Sequence, residues 1–200
     1  LESWKMNTDP EFLKLSNYIT NNDITKNSVY DQVCEMMDMD NFMDYFLTQI
    51  YLRNTDWPHN NVKAWKKKDG GKWRWILYDT DFGYNLWNND HTHNTLTWAL
   101  GEQAGTLPVD APWSTLLLRR LVLNETFKKR FIDKFAIQMS STFEANRANT
   151  ILDSLAAKIS TEIVYHKNKW GSGRDFNTDI STMKGFSLNR QNSMMNFIGA

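Results

Sequence analysis

The chain has 200 residues with 23 basic and 23 acidic side chains, so its formal net charge at neutral pH is zero. Hydrophobic residues make up 41% of the chain and aromatic residues 14%, which excludes a disordered protein because disordered chains are poor in aromatics. The charge balance argues against a general nucleic-acid binder, whose footprint is a basic surplus. The length fits one domain, and we expect residues 1–200 to form a single one.

Cysteine content and hydropathy set further bounds. Cys34 is the only cysteine, which rules out a disulfide framework, and its apolar neighbours predict a buried residue. The sequence has no signal peptide and no apolar stretch long enough for a membrane helix. Because the chain begins with Leu1 rather than Met, we expect it to be part of a longer protein.

Helical periodicity dominates the first 53 residues. Asp9 followed by proline predicts a helix start, and Ser28 predicts the N-cap of a second helix. A third helix is predicted to be capped by Asp40 or Asn41, because apolar residues recur beyond them every three or four positions. Its buried face comprises Phe42, Met43, Phe46, Leu47, Ile50 and Tyr51.

The period changes from helical to alternating over residues 62–79. Trp73, Trp75 and Leu77 alternate with other side chains, and Asp69-Gly70-Gly71 provides the residues that a tight turn needs. We therefore predict a hairpin of two antiparallel strands, with its tryptophans packed on one face.

The second half returns to helices after a long loop over residues 84–112, which holds at most one short helix. Predicted helices begin at Pro112, Asn124, about residue 144, Asp179 and Ser187. The region of about 144–170 is predicted to be helical and to end at Gly171. Its apolar side chains are Ile151, Leu152, Leu155, Ile159, Ile163 and Tyr165.

Oxygen-bearing side chains flank the predicted hairpin. Asp56 and Asn61 precede it in the pattern D-x-x-x-x-N, and Asp79 and Asp81 follow it. The ends of a hairpin lie side by side, so we expect these four residues to converge, and three carboxylates repel unless a cation neutralises them. Such ligands suit Mg²⁺, Mn²⁺ or Ca²⁺ rather than zinc. Because Mg²⁺ shares its coordination with substrate phosphates, the pattern points to phosphoryl transfer.

The order of helix, D-x-x-x-x-N, hairpin and Asp81-Phe82-Gly83 resembles the catalytic lobe of protein kinases. More closely, the chain resembles the spore-coat CotH kinase family, an atypical protein-kinase-like group, mainly over residues 28–90. The matching positions are residues 42–46, 54–57 and 75–83, with Asn61, Phe186, Ser187 and Arg190. The resemblance implies a predominantly helical α+β fold, a kinase-like C-lobe with a central β-hairpin between helical blocks.

The resemblance also implies an activity: metal-dependent transfer of the γ-phosphoryl group of ATP to Ser or Thr of a protein, with Mg²⁺ or Mn²⁺. Asp56 would be the base or the orienter of the acceptor hydroxyl. Asn61 and Asp79 would hold metal, with Asp81 competing with Asp79 as the primary ligand. Residues near substrate or nucleotide would be His59, Lys63, Phe82 and Gly83. A secreted or cell-envelope location in a bacterium is implied as well.

The chain departs from the kinase pattern in three places. Asn54-Thr55 stands where kinases have His-Arg, Pro58 stands where they have Lys, and no Gly-rich loop or Lys–Glu pair precedes residue 28. We therefore expect the ATP-gripping N-terminal lobe to be missing from residues 1–200. The alternatives are a non-catalytic binding or cell-envelope structural module on this scaffold, and a carbohydrate-binding surface built on Trp87 and Trp98.

Overall fold

The computed structural model describes residues 6–58, 60–86, 90–101, 112–171 and 174–199. In these ranges the protein is predominantly helical, with one antiparallel hairpin between two helical blocks, which confirms the predicted α+β class. The elements in chain order are α1 (Pro10–Asn21), α2 (Asn27–Met36), α3 (Met39–Leu52), β1 (Lys63–Trp65), β2 (Arg74–Ile76), α4 (Thr95–Ala99), α5 (Pro112–Leu121), α6 (Glu125–Met139), α7 (Ala145–Ile159), α8 (Ile163–Trp170) and α9 (Phe176–Gly199). Among the described residues no helix combines the length and apolarity needed to cross a membrane.

Two predicted helix caps are confirmed. Asp9 accepts hydrogen bonds from the backbone N–H groups of Glu11 and Phe12 at 3.0 and 2.9 Å, at the start of α1. Asn124 accepts from the N–H of Phe127 at 3.0 Å, at the start of α6. These bonds satisfy donors that the first turn of a helix leaves without partners.

Two other predicted caps are wrong. At the start of α2 the N-cap is Lys26, without a side-chain bond, and Ser28 lies inside the helix. At the start of α3 the cap is Asp38, which accepts from the N–H of Asn41 at 3.0 Å, so the helix begins before the predicted Asp40. Asp38 lies three residues before Asn41, and its carboxylate therefore reaches the N–H donor of Asn41 at the N3 position.

The hairpin is confirmed, with strands shorter than predicted. Ala64 lies opposite Trp75, and Gly70 has a φ of +77° in the connecting turn. Trp73 leaves the pairing with β1 because it bonds instead to the chain between α2 and α3: its N–H donates to the carbonyl of Met36 at 3.0 Å, and its carbonyl accepts from Asp38 at 2.9 Å. The predicted packing of the hairpin tryptophans is confirmed for Trp73 and Trp75, which are 3% and 5% exposed, but not for Trp65, which is 48% exposed.

The core is centred on α3. Phe42 packs edge-on against Trp75 and lies close to Phe46 and Phe127, with ring centroids 4.8, 4.5 and 6.4 Å away. The hairpin and α6 therefore cover two sides of the same helix, and every residue of the predicted α3 face is buried. Cys34 is half-buried, and burial raises the pKa of its thiol.

Helix boundaries after residue 144 differ from the prediction. Residues 160–162 divide the predicted 144–170 helix into α7 and α8, and α9 runs unbroken through both predicted caps. Asp179 lies in the first turn of α9 and accepts from Nε of Arg174 at 2.8 Å, whereas Ser187 is buried in mid-helix.

Most of the apolar side chains named for this region are exposed, although Leu152 and Ile163 are partly buried. Ile151, Leu155 and Ile159 keep 45%, 54% and 48% of their surface accessible. The helix packs against α9, and Ala145 at its start is the buried residue of α7.

Arg190 of α9 is fully buried and joins three parts of the chain. Its Nε and Nη2 donate to the carbonyls of Tyr51 and Ile50 at 2.9 and 2.8 Å, in the last turn of α3. Its Nη1 donates to the carbonyls of His91 and His93 at 2.5 and 2.7 Å. A single guanidinium thus connects the end of α3 with the segment that precedes α4.

We expect Arg190→Lys to lower the free energy of unfolding by about 3 kcal/mol, because an ammonium cannot reproduce the planar fork of donors and leaves buried carbonyls without partners. Urea unfolding measures the change. Arg147→Lys is the control, since Arg147 is exposed and its guanidinium donates to the exposed carbonyl of Thr142 at 3.1 Å; its effect should stay within about 0.5 kcal/mol. Equal stabilities of the two variants would contradict this account of Arg190.

The pKa of His93 is lowered to about 4, from an ordinary value of 6.5, by burial and by the charges of Arg53 and Arg190. The unfolded chain therefore takes up a proton near pH 6.5 while the folded protein stays neutral, so this group costs stability as pH falls from about 6.5 to about 4. We expect His93→Gln to lose less stability than the wild type across that window. Unfolding titrations at several pH values measure it, with His166→Gln at an exposed position as control; parallel curves would refute the expectation.

Candidate active site

The chain enters the candidate site through a left-handed turn at the end of α3. Arg53 has a φ of 52°, and its N–H bonds back to the carbonyls of Gln49 and Ile50. Asn61 and Asp79, on either side of the hairpin, also have positive φ values of 56° and 53°. Residues other than glycine seldom adopt this conformation, and such strain is concentrated at functional sites. Two of the predicted metal ligands therefore have strained backbones.

The first flank of the site consists of Asp56 and Asn61. Nδ2 of Asn61 donates to Oδ2 of Asp56 at 2.7 Å, and Nδ2 of Asn60 donates to the same oxygen at 3.0 Å. Asn61 is 4% exposed, and its carbonyl accepts from the hydroxyl of Tyr45 on α3 at 3.3 Å. The two predicted residues are thus in direct contact and are supported by the core.

The second flank consists of Asp79 and Asp81, which follow β2. The pKa of Asp79 is raised, first by a hydrogen bond with Asp81, then by desolvation and by the charges of Asp81 and Asp56, whereas Lys63 opposes the shift. The Lys63 ammonium lies 4.3 Å from the centre of the Tyr78 ring. The electrostatic effect of Asp56 on Asp79 indicates that the two flanks are neighbours.

Sequence reasoning missed the side chain that touches both flanks. Asn54 is fully buried; its Oδ1 accepts from the N–H of Asp56 at 3.1 Å and its Nδ2 donates to the carbonyl of Asp79 at 3.2 Å. The same Nδ2 donates to Oε1 of Gln49 at 3.0 Å. A possible signal was Gln49 itself, a polar residue within the otherwise apolar face of α3.

The segment after Asp81 is fastened to the end of α3. The carbonyl of Phe82 accepts from the N–H of Thr55 at 3.4 Å, and the N–H of Tyr84 donates to the carbonyl of Leu52 at 3.1 Å. A Cβ atom at Gly83 would lie 3.1 Å from the carbonyl oxygens of Leu52 and Thr80, so glycine permits this close approach. The predicted substrate-proximal His59 lies outside the described residues.

The described residues contain no group of three or more His, Cys, Asp or Glu side chains arranged to hold a metal. The second flank instead offers the two carboxylates of Asp79 and Asp81, which share a hydrogen bond. Mg²⁺ is commonly held by one or two carboxylates together with waters and substrate phosphates, so a complete protein cage is not required. The donor set therefore fits a metal that is shared with a phosphate ligand.

A cleft of about 620 Å³ opens beside the second flank. One wall is the segment from Thr80 to Leu86, which includes Asp81. The other wall is formed by Arg174, just before α9, and by the first part of α9 with Thr182. An adjoining pocket of about 300 Å³ continues past Arg174 toward α8. The site thus has a neighbouring concave surface.

The predicted tryptophan platform is not formed at Trp98, which is 8% exposed and packs edge-on against Trp57 with ring centroids 6.1 Å apart. Trp57 is itself fully buried. Sugar-binding platforms need an accessible aromatic face, which these two rings lack. Trp87 lies outside the described residues.

Comparisons with known proteins identify the family. Residues 4–194, nearly the whole chain, match the family model described as CotH kinase protein. No curated protein and no solved structure matches the chain. The chain therefore belongs to the CotH kinase protein family.

Proposed function

We propose that the chain carries the catalytic and metal-binding part of an atypical protein kinase, which transfers the γ-phosphoryl group of ATP to Ser or Thr of a protein. The observation that carries this proposal is the adjacency of the two flanks: Asn54 bonds to the N–H of Asp56 at 3.1 Å and to the carbonyl of Asp79 at 3.2 Å, and the amide of Asn61 bonds to Asp56 at 2.7 Å. Family membership supports it. Residues 1–200 form a single domain in this proposal.

Asp56 is the proposed orienter and proton acceptor for the substrate hydroxyl. Amide donors from Asn60 and Asn61 fix its carboxylate through Oδ2, so its orientation is set before a substrate arrives. Phosphoryl transfer depends mainly on positioning and on neutralising charge, and a pre-oriented carboxylate serves the first of these.

The second flank fits Mg²⁺ or Mn²⁺. A hydrogen bond joins Asp79 and Asp81, whose carboxylates would repel each other if both were ionised. A bound cation would relieve the same repulsion. Because Nδ2 of Asn61 is directed at Asp56, its Oδ1 is the atom that the amide offers as a ligand. When bound, the metal would neutralise charge on the phosphates of ATP, and Lys63 would add a positive charge nearby.

The 620 Å³ cleft is the proposed place of the acceptor segment. It borders Asp81 and Gly83, directly after the second flank, and its opposite wall carries Thr182 and the Arg174–Asp179 ion pair. An extended polypeptide in this cleft would pass beside the carboxylates, with backbone and side-chain hydrogen-bond partners on both walls. A protein substrate suits this geometry better than a small molecule, because the adjoining pocket lengthens the groove.

A non-catalytic binding or envelope-structural module is the second candidate. It is favoured by the two side-chain amides that donate hydrogen bonds to Oδ2 of Asp56. An aspartate that only stabilises a turn makes bonds of the same kind. The two candidates differ in one measurable property, since only the kinase needs the carboxylates of both flanks for turnover.

We further propose a location in the cell envelope or outside the cell of a bacterium, as implied by membership in a spore-coat family. Fractionation of the source cells, followed by detection of the protein, tests this. Recovery in the cytoplasmic fraction alone would refute it.

We expect Asp56→Ala and Asp79→Ala each to reduce phosphate incorporation on the order of 100-fold, because one removes the hydroxyl-orienting carboxylate and the other a metal ligand. The assay follows labelled γ-phosphate transfer from ATP with Mn²⁺ to the full-length protein itself and to a Ser/Thr-rich protein.

The matched control for this assay is Asp69→Ala, which removes an exposed carboxylate from the hairpin turn and should leave incorporation unchanged. Activity that survives both site substitutions would rule out the kinase. A wild-type protein without any metal-dependent incorporation would favour the structural module.

We expect millimolar Mn²⁺ to raise the thermal unfolding midpoint of the wild type, because a ligand that binds only the folded state stabilises it. Asp79→Asn should lose most of that rise, whereas Asp69→Asn should keep it. Scanning calorimetry at matched ionic strength measures the shifts. The same rise in all three proteins would show that Mn²⁺ does not bind at the second flank.

A further inference from the structure

Asn54 is placed between the two flanks and bonds to the backbone of each. Its Oδ1 accepts from the N–H of Asp56 at 3.1 Å, and its Nδ2 donates to the carbonyl of Asp79 at 3.2 Å. The second proton of Nδ2 is taken by Oε1 of Gln49 at 3.0 Å, and both amide side chains are fully buried. The amide is thus linked to each flank and to α3.

We propose that Asn54 is a positioning residue, which sets the separation of Asp56 and Asp79 and thereby the geometry available to a metal. The first part of this inference concerns the backbone of the protein alone. The second part rests on the proposed function, because it requires a metal at the second flank.

The chemistry of this position calls for an asparagine. One acceptor and two donors must converge from a single short side chain, and among short side chains only the asparagine amide supplies them. Aspartate at position 54 would still accept the bond from the N–H of Asp56. Its second carboxylate oxygen, however, would face the carbonyl oxygen of Asp79, and two acceptors repel each other. Alanine would remove the bonds to both flanks.

The contacts of Asn54 also account for the strained backbone of Asp79. Asp79 has a φ of 53°, which a residue other than glycine keeps only where its surroundings over-determine it. The bond from Asn54 to its carbonyl supplies such a restraint, with Gln49 on α3 as the fixed point. The bonds from Thr55 to the carbonyl of Phe82 are longer, at 3.4 Å, and the 3.1 Å bond from Tyr84 to Leu52 lies five residues beyond Asp79.

Asn41 offers a matched control. Its Oδ1 accepts from the N–H of Trp75 at 2.6 Å and its Nδ2 donates to the Trp75 carbonyl at 3.2 Å. Asn41 lies on α3 and, like Asn54, is an asparagine whose side chain fastens a backbone segment, but it holds the middle of the hairpin rather than the two flanks.

Amide hydrogen exchange in the metal-free full chain tests the positioning role. In Asn54→Ala the amides of Asp56 and Gly83 should exchange at least about tenfold faster. Asp56 loses the acceptor of its own N–H, and Gly83 lies in the segment whose Asp79 carbonyl loses the bond from Asn54. In Asn54→Asp only Gly83 should respond, because the bond from Asp56 remains. In Asn41→Ala only Trp75 should respond. Exchange at Asp56 and Gly83 that is unchanged in both Asn54 variants, or equally raised in Asn41→Ala, would overturn the proposal.

Mn²⁺ affinity, measured by electron paramagnetic resonance, separates this inference from the proposed function. Both Asn54 variants should bind Mn²⁺ roughly tenfold or more weakly than the wild type, as expected for a residue that orients ligands, and Asn41→Ala should match the wild type. A wild type that does not bind Mn²⁺ defeats the proposed function, while the exchange data still decide the positioning role. Wild-type affinity in the Asn54 variants would overturn the metal part of the inference. If Asn54→Ala does not fold, Asn54→Asp, of the same size, is decisive.

Discussion

Capping of α3 by a buried guanidinium is the constraint on which the rest of this structure depends. Arg190 is fully buried, and its described hydrogen-bond partners are carbonyl and hydroxyl oxygens. The end of a helix carries partial negative charge on its unpaired carbonyls, so the last turn of α3 itself compensates the cation. Burial and the nearby Arg53 lower the pKa of Arg190 to about 9, which leaves it charged at neutral pH. The last helix thereby fixes where α3 stops.

The position of the candidate site follows from that fixed end. Within four residues of Leu52 the chain makes its left-handed turn at Arg53, buries Asn54 and presents Asp56. The hairpin is anchored to the N-terminal end of the same helix, where Asn41 bonds to the backbone of Trp75. Both flanks are thus attached to α3. A rigid element of this kind can hold the proposed oxygen ligands in place although their negative charges repel each other.

Much of this arrangement could be predicted from the sequence because it depends on local patterns. The alternation around Trp73 and Trp75 and the glycines of the turn predict the hairpin, and Asn124 before an apolar run predicts a helix start. The proximity of Asp56 and Asn61 follows from the short spacing between them. These features are decided by neighbours in sequence, which a reader of the sequence can see.

The features that could not be predicted depend on distant partners. Ser187 has the composition of a cap, yet it lies inside α9 because the helix continues past it to bury Arg190. The apolar residues around Leu155 recur at helical spacing, yet Leu155 stays 54% exposed although its helix packs against α9. Asn54 and Gln49 bond to each other across a turn, and nothing in their spacing shows that Asp79 completes the contact.

The central claim is that the two flanks form one metal site that is shared with a nucleotide. A crystal structure of the full-length protein with Mn²⁺ and a non-hydrolysable ATP analogue tests this claim most directly, through the anomalous scattering of manganese. The account predicts an anomalous peak about 2.1 Å from an oxygen of Asp79, bordered by Asn61 or Asp81 and by a phosphate oxygen. A peak elsewhere in the molecule, or no peak at saturating Mn²⁺ and analogue, would contradict it.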